Sequence, residues 1–288
     1  MHNSESIEFS SEDISEYYRL TEVHYRKGWK LDEARALHYG YWDSNTKQLS
    51  EALANLNEKL AEFGNVKRNL TILDAGCGVG GSSIYLAKKY GCKLYGISLN
   101  KEQISQAIQF SIKEGVANLP LFSVQDFTKT EFKDQSFDII WAIESVIHAD
   151  PKIDFFQEAF RLLRPGGKLL IADYFAKELP SSKELKQLMK WLHPWAVSDI
   201  IPFGEYKDQL VSLGFKNIQN QDITPNIYKS ARKMYWGGMY LGLLTKLYTL
   251  YRPGTTRFAR NHYKAMMHQF PLLKKGLWNY RMVSAIKK

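Results

Sequence analysis

Residues 71–80, TILDAGCGVG, decide the fold of this chain. The apolar run that opens at Leu70 predicts a short buried strand, and that strand ends in Asp74. A glycine-dense turn follows and leads into the helical pattern Gly81–Tyr90. Glycines let a ligand lie against the backbone, and the first turn of a helix presents N–H groups without partners. The stretch therefore predicts a corner of the fold that binds a nucleotide.

The residues after this corner alternate between strand-like and helix-like patterns. Apolar runs indicate further strands, and stretches with helical periodicity lie between them. This alternation predicts an α/β fold with a doubly wound, mostly parallel sheet and helices on both faces. The predicted strands are Lys93–Ile97, Leu121–Gln125, Phe137–Ile143, Lys168–Tyr174, Lys216–Ile223 and Trp278–Ile286, and the predicted helices are Lys101–Glu114, Ile153–Leu163 and 205–213.

Four segments are predicted along the chain. Residues 1–48 form an N-terminal helical flap rich in aromatic side chains, and residues 49–223 form the core. Residues 224–276 are a late helical insertion, the lid, which we expect to cap a substrate. Residues 277–288 are expected to return to the core as an edge strand.

Composition places the chain among ordinary globular proteins of the cytoplasm. Of its 288 residues, 44% are hydrophobic and 24% are charged. The two cysteines, Cys77 and Cys92, supply neither a disulfide framework nor a metal cluster, which predicts a reducing compartment and no metal site. Residues 1–13 lack the apolar core of a signal peptide, and no uncharged apolar stretch is long enough to span a bilayer.

The positive charge of the chain is concentrated at its C-terminal end. The formal net charge is +9, yet residues 224–288 contain thirteen Lys and Arg and no Asp or Glu. The first 223 residues carry the other 26 basic side chains and all 30 acidic ones. Such asymmetry indicates an acidic partner, which could be a phosphate, an anionic lipid or a nucleic acid.

The choice of ligand for the glycine-rich corner depends on the second predicted strand. A dinucleotide site of the dehydrogenase type needs an acidic residue at the tip of that strand for the ribose hydroxyls. Here the tip is GISLNKEQ, residues 96–103, with no acid before the helix. Together with LDAGCGVGGSS (73–83), QDF (125–127) and RLLRPGGKLLIADYF (161–175), it resembles the class I S-adenosylmethionine-dependent methyltransferases, and among them the sterol, tocopherol and terpenoid C-methyltransferases.

This resemblance implies a Rossmann-like fold and S-adenosyl-L-methionine as the cofactor. In that branch a hydroxyl residue and a nearby glutamine replace the ribose acid, which matches Ser98 and Gln103. Asp126 is then expected near the adenine amine. The full set of expected cofactor-binding residues is Asp74, Gly76, Gly78, Ser98, Leu99, Gln103, Asp126 and Phe127.

The substrate side carries two further similarities. The stretch at 17–21, YYRLT, is similar to the motif that opens sterol methyltransferases, although Arg19 stands where that family has an acid, and LHYGYW (37–42) is closer to the tocopherol enzymes. Glu144 and His148 follow the fourth predicted strand, so we expect them to share the acceptor cavity as catalytic base and orienting partner. The expected substrate-binding residues are Tyr18, Tyr25, Trp29, Tyr174, Trp195, Tyr235, Arg257 and Arg260.

These residues predict methylation of an alkene carbon in an isoprenoid, either a sterol-like molecule or a prenyl diphosphate. Methylation of an alkene leaves a carbocation. Aromatic faces stabilise such a cation, and a base ends the reaction by removing a proton. Ring closure is another reaction that such a cation can undergo. An N-, O- or aromatic C-methyltransferase of another small molecule is the alternative. A nucleic-acid-binding protein with a vestigial cofactor fold is disfavoured, because Leu, Met and Trp interleave the basic residues. Peripheral contact with a membrane and a homo-oligomer are further expectations.

Overall fold

A seven-stranded sheet forms the centre of the protein. The computed structural model describes residues 8–116, 120–251 and 257–288. Within them the strand order is β3-β2-β1-β4-β5-β7-β6. The strands are β1 (Thr71–Ala75), β2 (Lys93–Ser98), β3 (Pro120–Val124), β4 (Phe137–Ile143), β5 (Leu163–Ala176), β6 (Phe215–Asp222) and β7 (Trp278–Lys287).

The first five strands are parallel, whereas the last strand runs antiparallel to both of its neighbours. β7 pairs with β5 from Lys168↔Ile286 to Ala176↔Trp278 and lies inside the sheet. The expectation that it forms an edge is therefore wrong. The edge belongs to β6, most of whose side chains are exposed and polar, whereas most of those of β7 are buried. A polar strand suits an edge because its outer side faces water.

Helices cover both faces of the sheet, and the helix Gly81–Tyr90 begins and ends where the sequence predicts. The helix between Ser182 and Leu192 is absent from the predictions above, although Ser181 and Glu184 form a capping box at its start. The helices are α1 (Ser11–Gly28), α2 (Leu31–Ala34), α3 (Leu49–Phe63), α4 (Gly81–Tyr90), α5 (Lys101–Lys113), α6 (Lys152–Leu162), α7 (Ser182–Leu192), α8 (Phe203–Ser212), α9 (Thr224–Tyr251) and α10 (Arg257–Lys274).

The sheet separates two apolar cores. Trp141 and Leu170 point from its central strands into one core, which includes the inner faces of α3, α7 and α10. Leu73 and Ile140 point into the other core, where α6 and α8 pack. This two-sided burial follows from the alternation of side chains along each strand and explains why the central strands are almost wholly apolar.

The flap and the lid meet each other above the sheet. The Tyr39 hydroxyl of the flap donates a 3.0 Å hydrogen bond to Gln269 on α10. Tyr17 on α1 lies 3.2 Å from the ring nitrogen Nδ1 of His262, also on α10. These contacts join residues more than 200 positions apart. They hold the flap and the lid together over the carboxyl ends of β1, β2, β4 and β5. In the described ranges, none of the helices combines the length and apolar character that crossing a membrane requires.

Candidate active site

The glycine-rich turn after β1 leaves room for a ligand. Gly76 and Gly78 both have left-handed backbone, with φ of 86° and 52°. A Cβ on Gly76 would lie 2.4 Å from the Cβ of Ser145, so a side chain there collides. A Cβ on Gly78 would meet nothing nearer than Leu37, at 3.9 Å, so this position faces open cavity. The turn therefore fits a cofactor that approaches the backbone.

Asp74 anchors the same turn from inside the protein. The Ser83 hydroxyl, on the first turn of α4, donates a 2.7 Å hydrogen bond to its carboxylate. Burial raises the pKa of Asp74 to about 7, and the hydrogen bonds from Ser83 oppose that shift. The carboxylate thus ties the end of β1 to the start of α4 and lines the cavity.

The tip of β2 holds a second set of polar groups. The Ser98 hydroxyl donates a 2.8 Å hydrogen bond to the Gln103 side chain, and Asn100 caps α5 by accepting from the Gln103 N–H. Both Ser98 and Gln103 are more than 90% buried yet line the cavity. The pair presents neutral hydrogen-bonding groups where a dehydrogenase-type site would present an acid.

Asp126 lies after β3 and touches the flap. Its carboxylate accepts hydrogen bonds from the Thr128 N–H at 2.8 Å and from the Thr128 hydroxyl at 2.7 Å. The Ser11 hydroxyl, at the start of α1, donates to the other carboxylate oxygen at 3.3 Å. One cavity brings together all the residues expected to bind the cofactor: Asp74, Gly76, Gly78, Ser98, Leu99, Gln103, Asp126 and Phe127.

Glu144 lies just past β4, in left-handed backbone with φ of 50°. Three donors converge on its carboxylate: the Tyr39 N–H at 2.6 Å, the Tyr280 hydroxyl at 2.8 Å and the Tyr174 hydroxyl. Burial raises the pKa of Glu144 to about 8, and these hydrogen bonds pull the pKa back toward its ordinary value. Near neutral pH the group therefore exchanges its proton easily, as a general acid or base requires.

His148 is held by a different set of groups. Its Nδ1 lies 3.1 Å from the Ala196 carbonyl, and its Nε2 lies 2.9 Å from the Tyr18 hydroxyl. A carbonyl only accepts, so Nδ1 carries the hydrogen and Nε2 accepts from Tyr18. Burial lowers the pKa of His148 to about 4, so the ring is neutral at pH 7.

Glu144 and His148 line one cavity, but each has its own orienting groups. Among the described residues, no hydrogen bond joins the two side chains. No contact therefore supports the expected role of His148 in orienting Glu144. The hydrogen bonds from Tyr39, Tyr174 and Tyr280 orient its carboxylate instead. The reason is geometric: the short 3-10 turn Val146–His148 directs His148 toward α1 and Ala196.

Four of the residues expected to bind substrate line the same cavity, namely Tyr18, Tyr25, Tyr174 and Trp195. Trp29 does not. It is 4% exposed, and its ring nitrogen donates to the His38 carbonyl at 3.0 Å, so it packs the flap onto the core.

Of the three expected substrate residues on the lid, Tyr235 and Arg260 are absent from the described lining of the cavity. Tyr235 packs against Trp236 and Phe270. Arg260 is exposed on α10. Arg257 begins that helix, and its side chain lies outside the described residues. The described ranges also hold no group of three side chains suited to a metal ion.

Two tyrosines at Glu144 are missing from the predicted site. Tyr280 reaches Glu144 because β7 places it directly opposite Tyr174 on β5. Tyr39 reaches it through its backbone N–H. The motif LHYGYW marks the flap as unusual, but nothing local in the sequence aligns β7 with β5.

Comparison with known proteins agrees with this architecture. Residues 73–171 match the family described as "Methyltransferase domain". Methyltransferase GfsG of Streptomyces halstedii is 35% identical over 175 residues, which are 59% of this chain and 62% of that protein. Sterol 24-C-methyltransferase of Pneumocystis carinii is 28% identical over 232 residues, 78% of this chain and 59% of that protein. The chain thus matches about three-fifths of the length of each relative.

A solved structure extends the likeness to nearly the whole chain. Geranyl diphosphate C-methyltransferase from Streptomyces coelicolor superimposes with a TM-score of 0.72 at 18% identity. The superposition covers 96% of this chain and 98% of that one. At this identity the likeness concerns the fold, and it includes the flap and the lid.

Proposed function

Because this chain is a class I S-adenosylmethionine-dependent methyltransferase, we propose that it methylates an alkene carbon of an uncharged isoprenoid, sterol-like or terpenoid. The observation that carries the proposal is an acceptor cavity lined by aromatic rings that also holds Glu144 and a neutral His148. The proposal joins three roles, which are cofactor binding, stabilisation of a cation and removal of a proton.

The residues of the glycine-rich turn and of the tips of β2 and β3 would hold S-adenosyl-L-methionine. When bound, that cofactor supplies an electrophilic methyl group on a sulfonium. Gly78 would give the cofactor close access to the backbone, since a side chain there would project into the cavity. Ser98 and Gln103 would meet the ribose hydroxyls, and Asp126 would accept from the adenine amine.

The aromatic side chains would stabilise the charge that develops on the substrate. An alkene that gained the methyl group would use its π electrons for the new C–C bond while the methyl–sulfur bond broke and its electron pair stayed on the sulfur. The neighbouring alkene carbon would be left with a positive charge. The rings of Tyr18, Tyr25, Tyr174 and Trp195 line the cavity, and ring faces attract cations. The carboxylate of Glu144 adds a negative charge to the same wall when it is ionised.

Glu144 would then take the proton that restores a double bond. The C–H electron pair becomes the new π bond, and the proton goes to the carboxylate. A pKa of about 8 makes this carboxyl a stronger base than an exposed glutamate once it is ionised. The three converging donors keep it oriented throughout.

The charges of the cavity support an uncharged substrate over a prenyl diphosphate. Among its described lining residues, Arg35 is the single Lys or Arg, and its guanidinium is engaged at 2.5 Å by Glu114. Asp126 and Asp150 line the same cavity, and the carboxyls of Asp74 and Glu144 add negative charge when they are ionised. A diphosphate inside this lining would meet more anions than cations, which costs binding energy.

Product analysis tests the proposal. The purified enzyme is incubated with S-adenosylmethionine carrying a deuterium-labelled methyl group and with matched sterols, prenyl alcohols and prenyl diphosphates. We expect the label on a carbon atom of an uncharged substrate, with all methyl deuterium retained. A label on oxygen or nitrogen, or a product from diphosphates alone, would refute the proposal.

O- or N-methylation is the second candidate, and His148 favours it. Its neutral ring presents Nε2 toward the cavity, where it accepts from Tyr18. A substrate hydroxyl in place of Tyr18 could donate to the same nitrogen and be activated for attack. The position of the label in the same products separates the two candidates.

A further inference from the structure

We propose that the exposed face of α9 docks on an anionic membrane surface. The face consists of Trp236, Met239, Tyr240, Leu243 and Leu244, here called the α9 patch. This inference concerns a surface outside the active-site cavity, and it does not depend on which substrate the enzyme methylates.

The α9 patch is apolar and open to solvent. The exposed fractions are 62% for Trp236, 43% for Met239, 68% for Tyr240, 60% for Leu243 and 43% for Leu244. The spacings of three and four residues place all five side chains on one side of the helix. A contiguous set of large apolar side chains in water marks an interaction surface, whereas scattered ones need no explanation.

Packing on the opposite side of α9 holds this face outward. Gly238 and Gly242 lie against α10 so closely that a Cβ on either would come within 2.6 Å of Met266 or of the Tyr263 ring. Met234, one turn earlier, is 5% exposed and lines the cavity. The helix therefore cannot rotate to bury the patch without breaking these contacts.

Basic side chains continue the same side of α9 toward its N-terminus. Lys229, Arg232 and Lys233 are exposed and lie one to two turns before Trp236. The Lys229 ammonium stacks 3.9 Å above the ring of Trp42. Residues 224–288 contain no Asp or Glu, so neither α9 nor the rest of the C-terminal segment brings an acidic side chain to this face. We call Lys229, Arg232 and Lys233 the basic collar. The α9 patch and this collar together match a membrane interface that offers acyl chains beside anionic head groups.

A second copy of the chain fits this surface less well. Two α9 faces brought together would confront basic collars, and the whole segment 224–288 offers no acid to pair with them. Lipid phosphates supply the missing negative charge. Trp236 and Tyr240 also belong to the residue types that concentrate at membrane interfaces, where a polar edge stays wet and the ring is buried.

Vesicle sedimentation measures the docking directly. The full-length enzyme is mixed with phosphatidylcholine vesicles or with vesicles containing phosphatidylserine, and the bound fraction is determined at low and high salt. We expect tight binding to the anionic vesicles, weak binding to the neutral ones, and loss of binding as salt rises. Brominated lipid should quench tryptophan fluorescence in the wild type and much less in Trp236→Phe, because Trp236 is the tryptophan of the patch and its side chain is 62% exposed.

Two variants and two matched controls locate the surface. Arg232→Glu with Lys233→Glu should weaken anionic-vesicle binding at least about thirtyfold, since each basic residue near such a surface contributes about fivefold. Leu243→Ser should weaken it roughly tenfold. Lys216→Glu on β6 and Ile112→Ser on α5 are equally exposed controls and should bind like the wild type.

Affinity for S-adenosylhomocysteine reports that each variant is folded. Equal binding to neutral and anionic vesicles, or unchanged binding in all α9 variants, would overturn the proposal. Concentration-dependent dimers in sedimentation velocity that disappear in Leu243→Ser, without vesicle binding by the wild type, would show that a second copy occupies the surface.

Discussion

Replacing Glu144 by Gln tests the core of the proposed chemistry. The amide keeps the size of the side chain and an oxygen that can accept from the Tyr39 N–H. Its nitrogen can donate to the hydroxyl oxygen of Tyr174, which now bonds the carboxylate. The packing around the site should therefore survive, while the group can no longer take a proton from the substrate.

The expected loss follows from that single missing step. A positioned general base contributes about 10²–10⁴-fold to the rate. This range corresponds to about 3–5 kcal/mol of transition-state stabilisation. Glu144 is oriented by three donors, which places the expectation toward the upper half of the range. Affinity for S-adenosylhomocysteine should change little, because the lost interaction belongs to the transition state.

The pH profile supplies a second readout. Only the ionised carboxyl accepts a proton, so kcat/KM should rise with pH around the Glu144 pKa of about 8. Tyr280→Phe removes a donor that favours the ionised form, so the rise should move to higher pH. In Glu144→Gln the rise should disappear.

Glu58→Gln is the matched control. Glu58 also accepts hydrogen bonds from two phenols, Tyr85 and Tyr90, but it lies on α3 away from the active-site cavity. Its substitution should leave turnover and the pH profile unchanged. Near wild-type turnover in Glu144→Gln, or a pH profile that Tyr280→Phe does not move, would refute the assignment of Glu144 as the base.

Three further predictions follow from the same structure. Gly78→Val should weaken S-adenosylhomocysteine binding in calorimetry by at least about tenfold, whereas Gly115→Val, equally left-handed with open space around it, should bind normally; equal affinities would place the cofactor elsewhere. Leu60→Ala, at a fully buried position, should lower the free energy of unfolding by about 2–5 kcal/mol in urea, and the 93% exposed Leu179→Ala by less than about 0.5 kcal/mol. Burial lowers the pKa of His262 to about 3, so the folded protein binds fewer protons than the unfolded chain and loses stability as pH falls from about 6.5 toward 3. In His262→Asn, Tm should therefore decrease less steeply as the pH is lowered than it does in the wild type. The same dependence of Tm on pH in both proteins would contradict a role of His262.

The lid is where sequence-based prediction was least complete. Tyr235 was expected at the substrate and instead packs on Trp236 and Phe270. Arg260 was expected to bind the substrate, and it is exposed on α10 outside the described lining of the cavity. Composition identifies the lid as basic and aromatic, but a helix with apolar residues on several sides does not disclose which side faces the cavity. Packing of Gly238 and Gly242 on α10 decides that question.

The sequence alone determined the α/β fold, the order of the core elements from β1 to β5 and, through its resemblance to known methyltransferases, the enzyme class. Each of these depends on signals within short windows: the apolar run and glycines of 71–80, the cap at Asn100, and the helix that ends at Gly91. Side-chain alternation and turn chemistry are local properties, so they can be recognised in the sequence without knowledge of the fold.

Only the tertiary structure decided how the acceptor side is assembled. It placed β7 inside the sheet, set Tyr280 against Glu144 across 136 positions, and turned Trp29 into the core. The register of β7 on β5 and the seating of the flap on the lid result from packing between distant segments. Local sequence restricts which residues could meet, and the shape of the shared core selects those that do.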